Sequence, residues 1–206
     1  MVRISLFLAC LAISASVQAA DLAAGQAAYA VCAACHGPAG QGNQAMNAPQ
    51  IAGQAAWYTK RQLTAYQKGH RGTAAGDTYG AQMRPMSMTV TAPAAMDNIA
   101  AYIESLPASK PAATVGGDAA AGAAAYAVCA ACHGQQAEGN DALGGPALAN
   151  LNDWYLARQL KNFKEGRRAY HPEDTYGAQM KPMSMTLADD TAINNVAAYI
   201  GTLAAE

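Results

Sequence analysis

A stretch of 13 residues occurs twice in this 206-residue chain with one difference, and each copy contains C-A-A-C-H-G. The copies occupy residues 25–37 and 122–134, so they lie 97 residues apart. Two thiols three residues apart on one helical turn can each bond a vinyl group of a porphyrin, and the histidine that follows can face the iron. The motif therefore predicts two covalently attached haem c groups, one in each half of the chain.

The motif residues are the first candidates for haem binding. We expect the cysteines to be covalent anchors and the histidines to be proximal iron ligands: Cys32, Cys35 and His36, then Cys129, Cys132 and His133. Zinc is the alternative, because C-x-x-C pairs also bind zinc. A four-ligand zinc cage would have to join cysteines from separate repeats, and it would leave the histidines unexplained. The sequence thus favours haem over zinc.

The sixth ligand of each iron has to come from the opposite face of the haem, and methionine is available for it. Thioether sulfur is a suitable ligand for low-spin iron. Each half has three methionines close together at matching positions: Met83, Met86 and Met88, then Met180, Met183 and Met185. Because all three are repeated, the duplication alone does not choose among them. The methionines that are not ligands are suited to packing against the haem.

The offset of 97 residues aligns the two halves without a net gap, which indicates duplication of a whole domain. An all-α fold is expected, because no stretch alternates as a strand and the alanine-rich runs favour helices. Helices are predicted over residues 22–35, 54–69, 92–106 and 189–203. Segments 37–53 and 69–89 are rich in glycine, proline and asparagine, so we expect them to be loops.

The composition also predicts how the chain is divided. Residues 1–19 have one positive charge, an apolar run and small residues before Ala19, which is typical of a cleaved secretory signal peptide. Residues 107–117 are rich in proline, alanine and glycine and are predicted to link a domain at 20–106 to a domain at 118–206. The fifth cysteine, Cys10, leaves with the signal, so no cysteine remains for a disulfide.

Charge is divided unevenly between the halves. Residues 21–110 contain six Lys/Arg and four Asp/Glu, a net charge of +2, whereas residues 111–206 contain six and ten, a net charge of −4. Neither half has the charge of a nucleic-acid-binding surface. We expect the more acidic second half to hold the haem of lower potential, because negative charge stabilises ferric iron.

Some histidines and arginines do not follow the repeat. His70 and His171 align with Arg167 and Ala74, so we expect both to be surface histidines without a role in the repeated site. The basic clusters at 60–61, 68–71 and 158–168 are expected to be solvated helix faces. The alternative for one of these clusters is pairing with haem propionates or docking of a partner.

The sequence resembles the class I cytochromes c, and more closely the dihaem cytochrome c4 family. The resemblance covers nearly all of the chain after residue 19. Its motifs are a C-x-x-C-H helix, a P-x-(I/L)-A segment, an aromatic residue followed by Q-L, an M-x-x-M segment and a final A-A-Y-I helix. All of these occur in both halves.

In that family the first methionine of M-x-x-M is the iron ligand, which implies Met83 and Met180. The family's loop proline, whose carbonyl accepts from the proximal histidine, corresponds to Pro49 and Pro146.

The resemblance implies two tandem class I cytochrome c domains, each wrapped around one haem. It also implies periplasmic electron transfer rather than catalysis, with the haem propionates meeting at the domain interface. We expect redox protein partners, namely a terminal oxidase, a quinol-oxidising complex or a flavoprotein, with peripheral inner-membrane association as an option. The alternative function is the haem subunit of a flavocytochrome c of the sulfide dehydrogenase type. His/Met ligation would leave no open position at either iron for a substrate.

Overall fold

The computed structural model describes residues 19–203, and in this range the chain is helical. Nine α-helices and two 3₁₀ turns are present there, and the only β-structure in the same range is a pair of isolated bridges, at Asn43 with Ala48 and Asn140 with Gly145. The all-α prediction is confirmed. Residues 1–18 of the predicted signal peptide lie outside the described residues.

The two halves repeat the same order of elements. The first half contains α1 (Leu22–His36), a 3₁₀ turn (Gln44–Met46), α2 (Ala56–Gln67), α3 (Thr78–Ser87) and α4 (Pro93–Ser105). The second contains α5 (Ala119–Tyr126), α6 (Ala130–His133), a 3₁₀ turn (Asp141–Leu143), α7 (Asp153–Lys164), α8 (Thr175–Met185) and α9 (Asp190–Thr202). The one break in the correspondence is that α5 and α6 together occupy the place of α1.

The motif helices begin at capping aspartates. The carboxylate of Asp21 accepts from the amides of Ala23 and Ala24, and that of Asp118 repeats this pattern at α5. Such a cap satisfies amides that have no partner within the helix. At the other end, Gly37 follows the motif histidine with a φ of 80°, a conformation that glycine adopts readily. The histidine of each motif is therefore the last residue of its helix.

Each motif helix packs on the final helix of its half. Gly25 of α1 lies against the backbone of Asn98 in α4, where a Cβ atom would overlap the carbonyl group. Beside this crossing, the rings of Tyr29 and Tyr102 have centroids 5.4 Å apart. The same contacts occur between α5 and α9 in the second half. This close crossing fixes the orientation of the motif helix, and with it the side of the helix that faces the remainder of the domain.

The prediction of a loop over residues 69–89 was wrong in its second part, because α3 occupies Thr78–Ser87. The carboxylate of Asp77 accepts from the amide of Gly80 at 3.0 Å and starts the helix. Pro85 lies within α3 and interrupts only its last turn. The matching segment of the second half forms α8 in the same way. Met83 and Met86 thus lie on a helix and not on a loop, and Met88 directly follows this helix.

The halves contact each other through related residues. The Arg61 guanidinium donates to the carbonyl of Gly144 at 2.7 Å and stacks 4.0 Å from the ring centre of Tyr176. Its counterpart, Arg158, stacks 4.0 Å from the ring centre of Tyr79. An approximate twofold axis therefore relates the two sides of the interface. In the described part of the chain, no helix has the length and hydropathy needed to cross a bilayer.

Candidate haem-binding sites

A cavity of about 210 Å³ lies in the first half, and its walls contain the predicted ligands of that half. Cys32, Cys35 and His36 line it from α1, whereas Met83 and Met86 line it from α3. Apolar side chains such as Leu63, Val90, Ile99 and Ile103 form much of the remaining wall. The fold thus brings two thiols, one imidazole and the two thioethers of α3 to a single apolar space, which Met46 also lines.

The second half has a matching cavity of about 200 Å³. Its walls contain Cys129, Cys132 and His133, together with Met180 and Met183. The near-equal volumes and the corresponding walls show that the duplication has preserved the whole site and not only its motif.

The motif histidines are held in one tautomer. His36 Nδ1 lies 2.8 Å from the carbonyl oxygen of Pro49, and His133 Nδ1 lies 2.8 Å from that of Pro146. A carbonyl can only accept, so Nδ1 carries the proton and Nε2 keeps the lone pair that a metal needs. Burial lowers the pKa of His36, and the bond to Pro49 offsets this only in part. Burial also lowers the pKa of His133. Both imidazoles are therefore neutral at pH 7.

The first cysteine of each motif, Cys32 or Cys129, is a partly buried thiol. Burial, with a smaller effect of Cys35, raises the pKa of Cys32 to about 11. Burial likewise raises the pKa of Cys129, with a contribution from Cys132. The reactive and zinc-binding form of cysteine is the thiolate, which such environments disfavour. Such protonated thiols are suited to a covalent bond with a vinyl group of the porphyrin. They are less suited to a zinc cage, which needs thiolates.

The structure narrows the choice among the methionines. Met88 and Met185 are 50% and 55% exposed and are not among the residues that line the two cavities. Met83 packs against the buried core of the first half. Geometry therefore leaves two methionines of this segment in each cavity, and the family resemblance then favours Met83 and Met180 over Met86 and Met183. Met46 also lines the first cavity, but it is 48% exposed and its counterpart in the second half is Leu143.

The two cavities share a wall at the interface between the halves. Tyr58, Gln62, Arg71, Tyr155 and Gln159 each line both of them. Leu151 is the one apolar residue that also lines both cavities, so the shared wall is mainly polar and contains a guanidinium group, whereas most of each cavity is apolar. Each cavity therefore has an apolar interior and a cationic end that faces the other half.

Arg71 and Arg168 occupy this cationic end, and both are buried. They are 5% and 7% exposed, and each bonds the side-chain oxygens of Gln62 and Gln159. Within residues 19–203 neither guanidinium has a carboxylate at ion-pair distance, and the Nε atom of each lacks a hydrogen-bond partner. The expectation that these arginines are solvated was wrong, because the opposite half covers them. Buried cations require anions, and two haem propionates fit this position.

The histidines outside the motifs were also misplaced by sequence reasoning. His70 and His171 are partly buried and stack on each other across the interface, with ring centroids 4.2 Å apart. Neither is fully exposed, because each ring covers part of the other. Positions that do not repeat cannot be recognised by comparing the halves, and their proximity depends entirely on how the halves dock.

Comparison with known proteins agrees with this geometry. The sequence profile of the cytochrome c family matches residues 22–107 and 119–204. A cytochrome c4 of Azotobacter vinelandii is 35% identical over 169 residues, which cover 73% of this chain and 75% of that protein. A thiosulfate dehydrogenase electron acceptor of Thiomonas intermedia is 49% identical over 165 residues, which cover 74% and 71% of the two chains.

Solved structures give the same result. The structure of reduced cytochrome c4 from Pseudomonas stutzeri matches with a TM-score of 0.69 and 29% identity, covering 90% of this chain and all of that one. A thiosulfate dehydrogenase from Marichromatium purpuratum matches with a TM-score of 0.74 and 28% identity over 89% of this chain. The present chain spans 40% of the length of that longer protein.

The repeated helical fold and the paired cavities define a tandem c-type cytochrome that carries two covalently attached haem c groups and transfers electrons. The chain belongs to the dihaem cytochrome c4 family, which both the sequence and the structural relatives support.

Proposed function

We propose that the protein is a periplasmic electron carrier exported by a cleaved signal at residues 1–19. Its haem domains would span residues 20–106 and 118–206, joined by a linker at 107–117. One haem would be attached to Cys32 and Cys35 with His36 and Met83 as iron ligands. The other would be attached to Cys129 and Cys132, with His133 and Met180 as ligands. The supporting observation is that each cavity gathers this complete set of side chains around one apolar space.

Carrier function follows from this ligand set. The haem group supplies reversible one-electron exchange between ferric and ferrous iron. The chain supplies His36 in a fixed tautomer and a buried cationic wall for the propionates. Because a histidine and a methionine would both hold the iron, no substrate could reach it without displacing one of them. Turnover chemistry would therefore take place on a partner protein.

We propose a thiosulfate-oxidising enzyme as the electron donor. The support is the 49% identity to the Thiomonas intermedia thiosulfate dehydrogenase electron acceptor, together with the structural likeness to the Marichromatium purpuratum enzyme. The electron acceptor would then be a terminal oxidase or another redox enzyme of the periplasm. The alternative donor is a flavoprotein, as in a flavocytochrome c of the sulfide dehydrogenase type.

The experiment is reduction of the oxidised holoprotein, followed at the haem absorption bands. A thiosulfate dehydrogenase with thiosulfate, and a sulfide-oxidising flavoprotein with sulfide, would each be mixed with it in a stopped-flow instrument. Each substrate without its enzyme is the control. Faster reduction by the first pair supports the proposed donor, and faster reduction by the second supports the alternative. Binding of cyanide to the oxidised protein at rates typical of open haems would contradict the carrier assignment itself.

A further inference from the structure

The chain has four histidines, and two of them belong to the haem motifs. The other two, His70 and His171, come from different halves and meet at the interface. Their rings stack at 4.2 Å with an angle of 22° between the planes. All imidazole groups outside the haem motifs are therefore gathered at one place in the molecule.

A carboxylate completes the group. Oε2 of Glu173 lies 3.3 Å from Nε2 of His70, and the Glu173 side chain is 71% exposed. One ligand atom from each of the three residues can be chosen so that all lie within 4.8 Å of one another. Two imidazoles and one carboxylate are a donor set that divalent zinc prefers.

The duplication provides an internal comparison for this cluster. The positions that correspond to His70, His171 and Glu173 are Arg167, Ala74 and Gly76. Arg167 also reaches across the interface, because its Nε atom would lie 3.1 Å from a Cβ placed on Gly76. The approximate twofold axis thus relates the contact of His70 with Glu173 to that of Arg167 with Gly76. One side has three metal-binding side chains, and the other has none.

We propose that His70, His171 and Glu173 form a zinc-binding site that joins the two halves. His70 would bind through Nε2, the atom that faces Glu173. His171 would bind through Nδ1, whose lone pair accepts a long hydrogen bond of 3.2 Å from the Glu173 amide; zinc would replace this bond. A water molecule would be the fourth zinc ligand, and the site would be open to solvent at that position.

Binding requires a small local rearrangement. Ligand atoms about 2.0–2.1 Å from a tetrahedral zinc ion lie roughly 3.4 Å apart. The 3.3 Å between His70 Nε2 and Glu173 Oε2 already fits this spacing, and separations of up to 4.8 Å within the group have to shorten. Stacked rings cannot both direct a lone pair at one ion, and one imidazole has to turn about its χ2 bond. The exposed Glu173 side chain can follow this movement without disturbing the core. Both histidines lie outside the haem cavities, so the site is independent of the proposed electron transfer.

The test is calorimetric titration of the tag-free holoprotein with Zn²⁺, with Mg²⁺ as the control ion. We expect one zinc ion per chain, no comparable binding of Mg²⁺, and a thermal unfolding midpoint that rises with zinc. The double variant His70→Ala, His171→Ala should lose zinc affinity at least a hundredfold. Glu173→Gln should weaken binding about tenfold, and Glu165→Gln, which changes an exposed acid outside the cluster, should leave it unchanged.

Haem absorption spectra establish that each variant keeps both haem groups. Should the double histidine variant fail to fold, Glu173→Gln still decides the question, because this side chain is exposed and makes no core contact. Zinc affinity that is equal in the wild type and in both variants would overturn the proposal. Failure of the wild type to bind zinc at submillimolar concentration would overturn it as well.

Discussion

The backbone amide of Gln50 donates to the side-chain oxygen of Asn152 at 2.7 Å, across the boundary between the two halves. Gln50 follows Pro49, whose carbonyl accepts from the proximal histidine of the first half. The Gln50 side chain is 1% exposed and donates to the carbonyls of Ser109 and Asn150. The loop that holds this histidine is therefore fastened to both the linker and the second domain.

Only one of the two sites has this connection. The position equivalent to Gln50 is Ala147, whose side chain cannot form hydrogen bonds. The proximal loop of the first half thus reaches the linker and the second half through a side chain of its own. The proximal loop of the second half instead accepts through its carbonyls, from Gln54 at Ala147 (3.3 Å) and from Arg61 at Gly144 (2.7 Å). This asymmetry arises although the two motifs are the same.

We predict that Gln50→Ala lowers the free energy of unfolding of the holoprotein by about 2 kcal/mol. The substitution leaves buried carbonyl groups without donors, at a cost of about 1–3 kcal/mol for such a group. Guanidinium chloride unfolding, followed by tryptophan fluorescence and haem absorption, measures the change. Substitution of the exposed Gln136 by alanine should alter stability by less than about 0.5 kcal/mol. Equal effects of the two substitutions would disprove the role given to Gln50.

Replacement of single methionines should identify the iron ligands. Met83→Ala or Met180→Ala should remove about half of the weak near-infrared band of thioether-ligated ferric haem and lower one reduction potential. Met86→Ala should leave the band intact, and so should Met88→Ala, since this side chain is outside the cavity walls. Loss of the band in Met86→Ala but not in Met83→Ala would reverse the assignment in the first half.

The buried guanidinium of Arg71 should raise the haem potentials. Ferric haem carries one more positive charge than ferrous haem, so a nearby cation destabilises the ferric state. Arg71→Gln should therefore lower at least one potential by roughly 50 mV, which corresponds to about 1 kcal/mol for one electron. Anaerobic redox titration measures the shift. Lys68→Gln removes an equal charge from an exposed position nearby and should have a much smaller effect.

Asp153 should make the stability of the second half depend on pH. Burial alone would raise the pKa of Asp153, but hydrogen bonds from Thr114, Val115 and Trp154 lower it below the ordinary value. A carboxyl group whose pKa is lower in the folded state stabilises the fold above its unfolded value of about 3.9. That contribution is lost as the pH falls through the folded-state pKa.

The corresponding variant is Asp153→Asn. We expect it to lose about 1–3 kcal/mol of stability at pH 7, and the difference from the wild type should shrink below about pH 4. Denaturant unfolding at several pH values measures this difference. Asp190→Asn is the control, because Asp190 forms an exposed ion pair with Lys161 that contributes little. A loss that stays constant from pH 7 to pH 3 would show that Asp153 acts by packing and not by charge.

Much of the fold and of the site could be predicted from the sequence. Motif spacing indicated that Cys32, Cys35 and His36 share one helix end, because residues three and four apart lie on one helix face. The repeat then assigned the same arrangement to the second half. The methionine segment was misjudged as a loop, because its glycine and proline suggested a break. The local cap from Asp77 instead starts a helix there, with Pro85 near its end.

By itself, therefore, the sequence determined the properties that depend on neighbouring residues: the haem motifs, the helical class and the duplication. The tertiary structure decided which methionines line a cavity, because exposure depends on the direction in which a helix packs. It also decided that Arg71 and Arg168 are buried, and that His70 meets His171. The two arginines and the two histidines are each covered or contacted by the other half of the chain. Such contacts follow from the docking of two domains, which the pattern within either repeat does not encode.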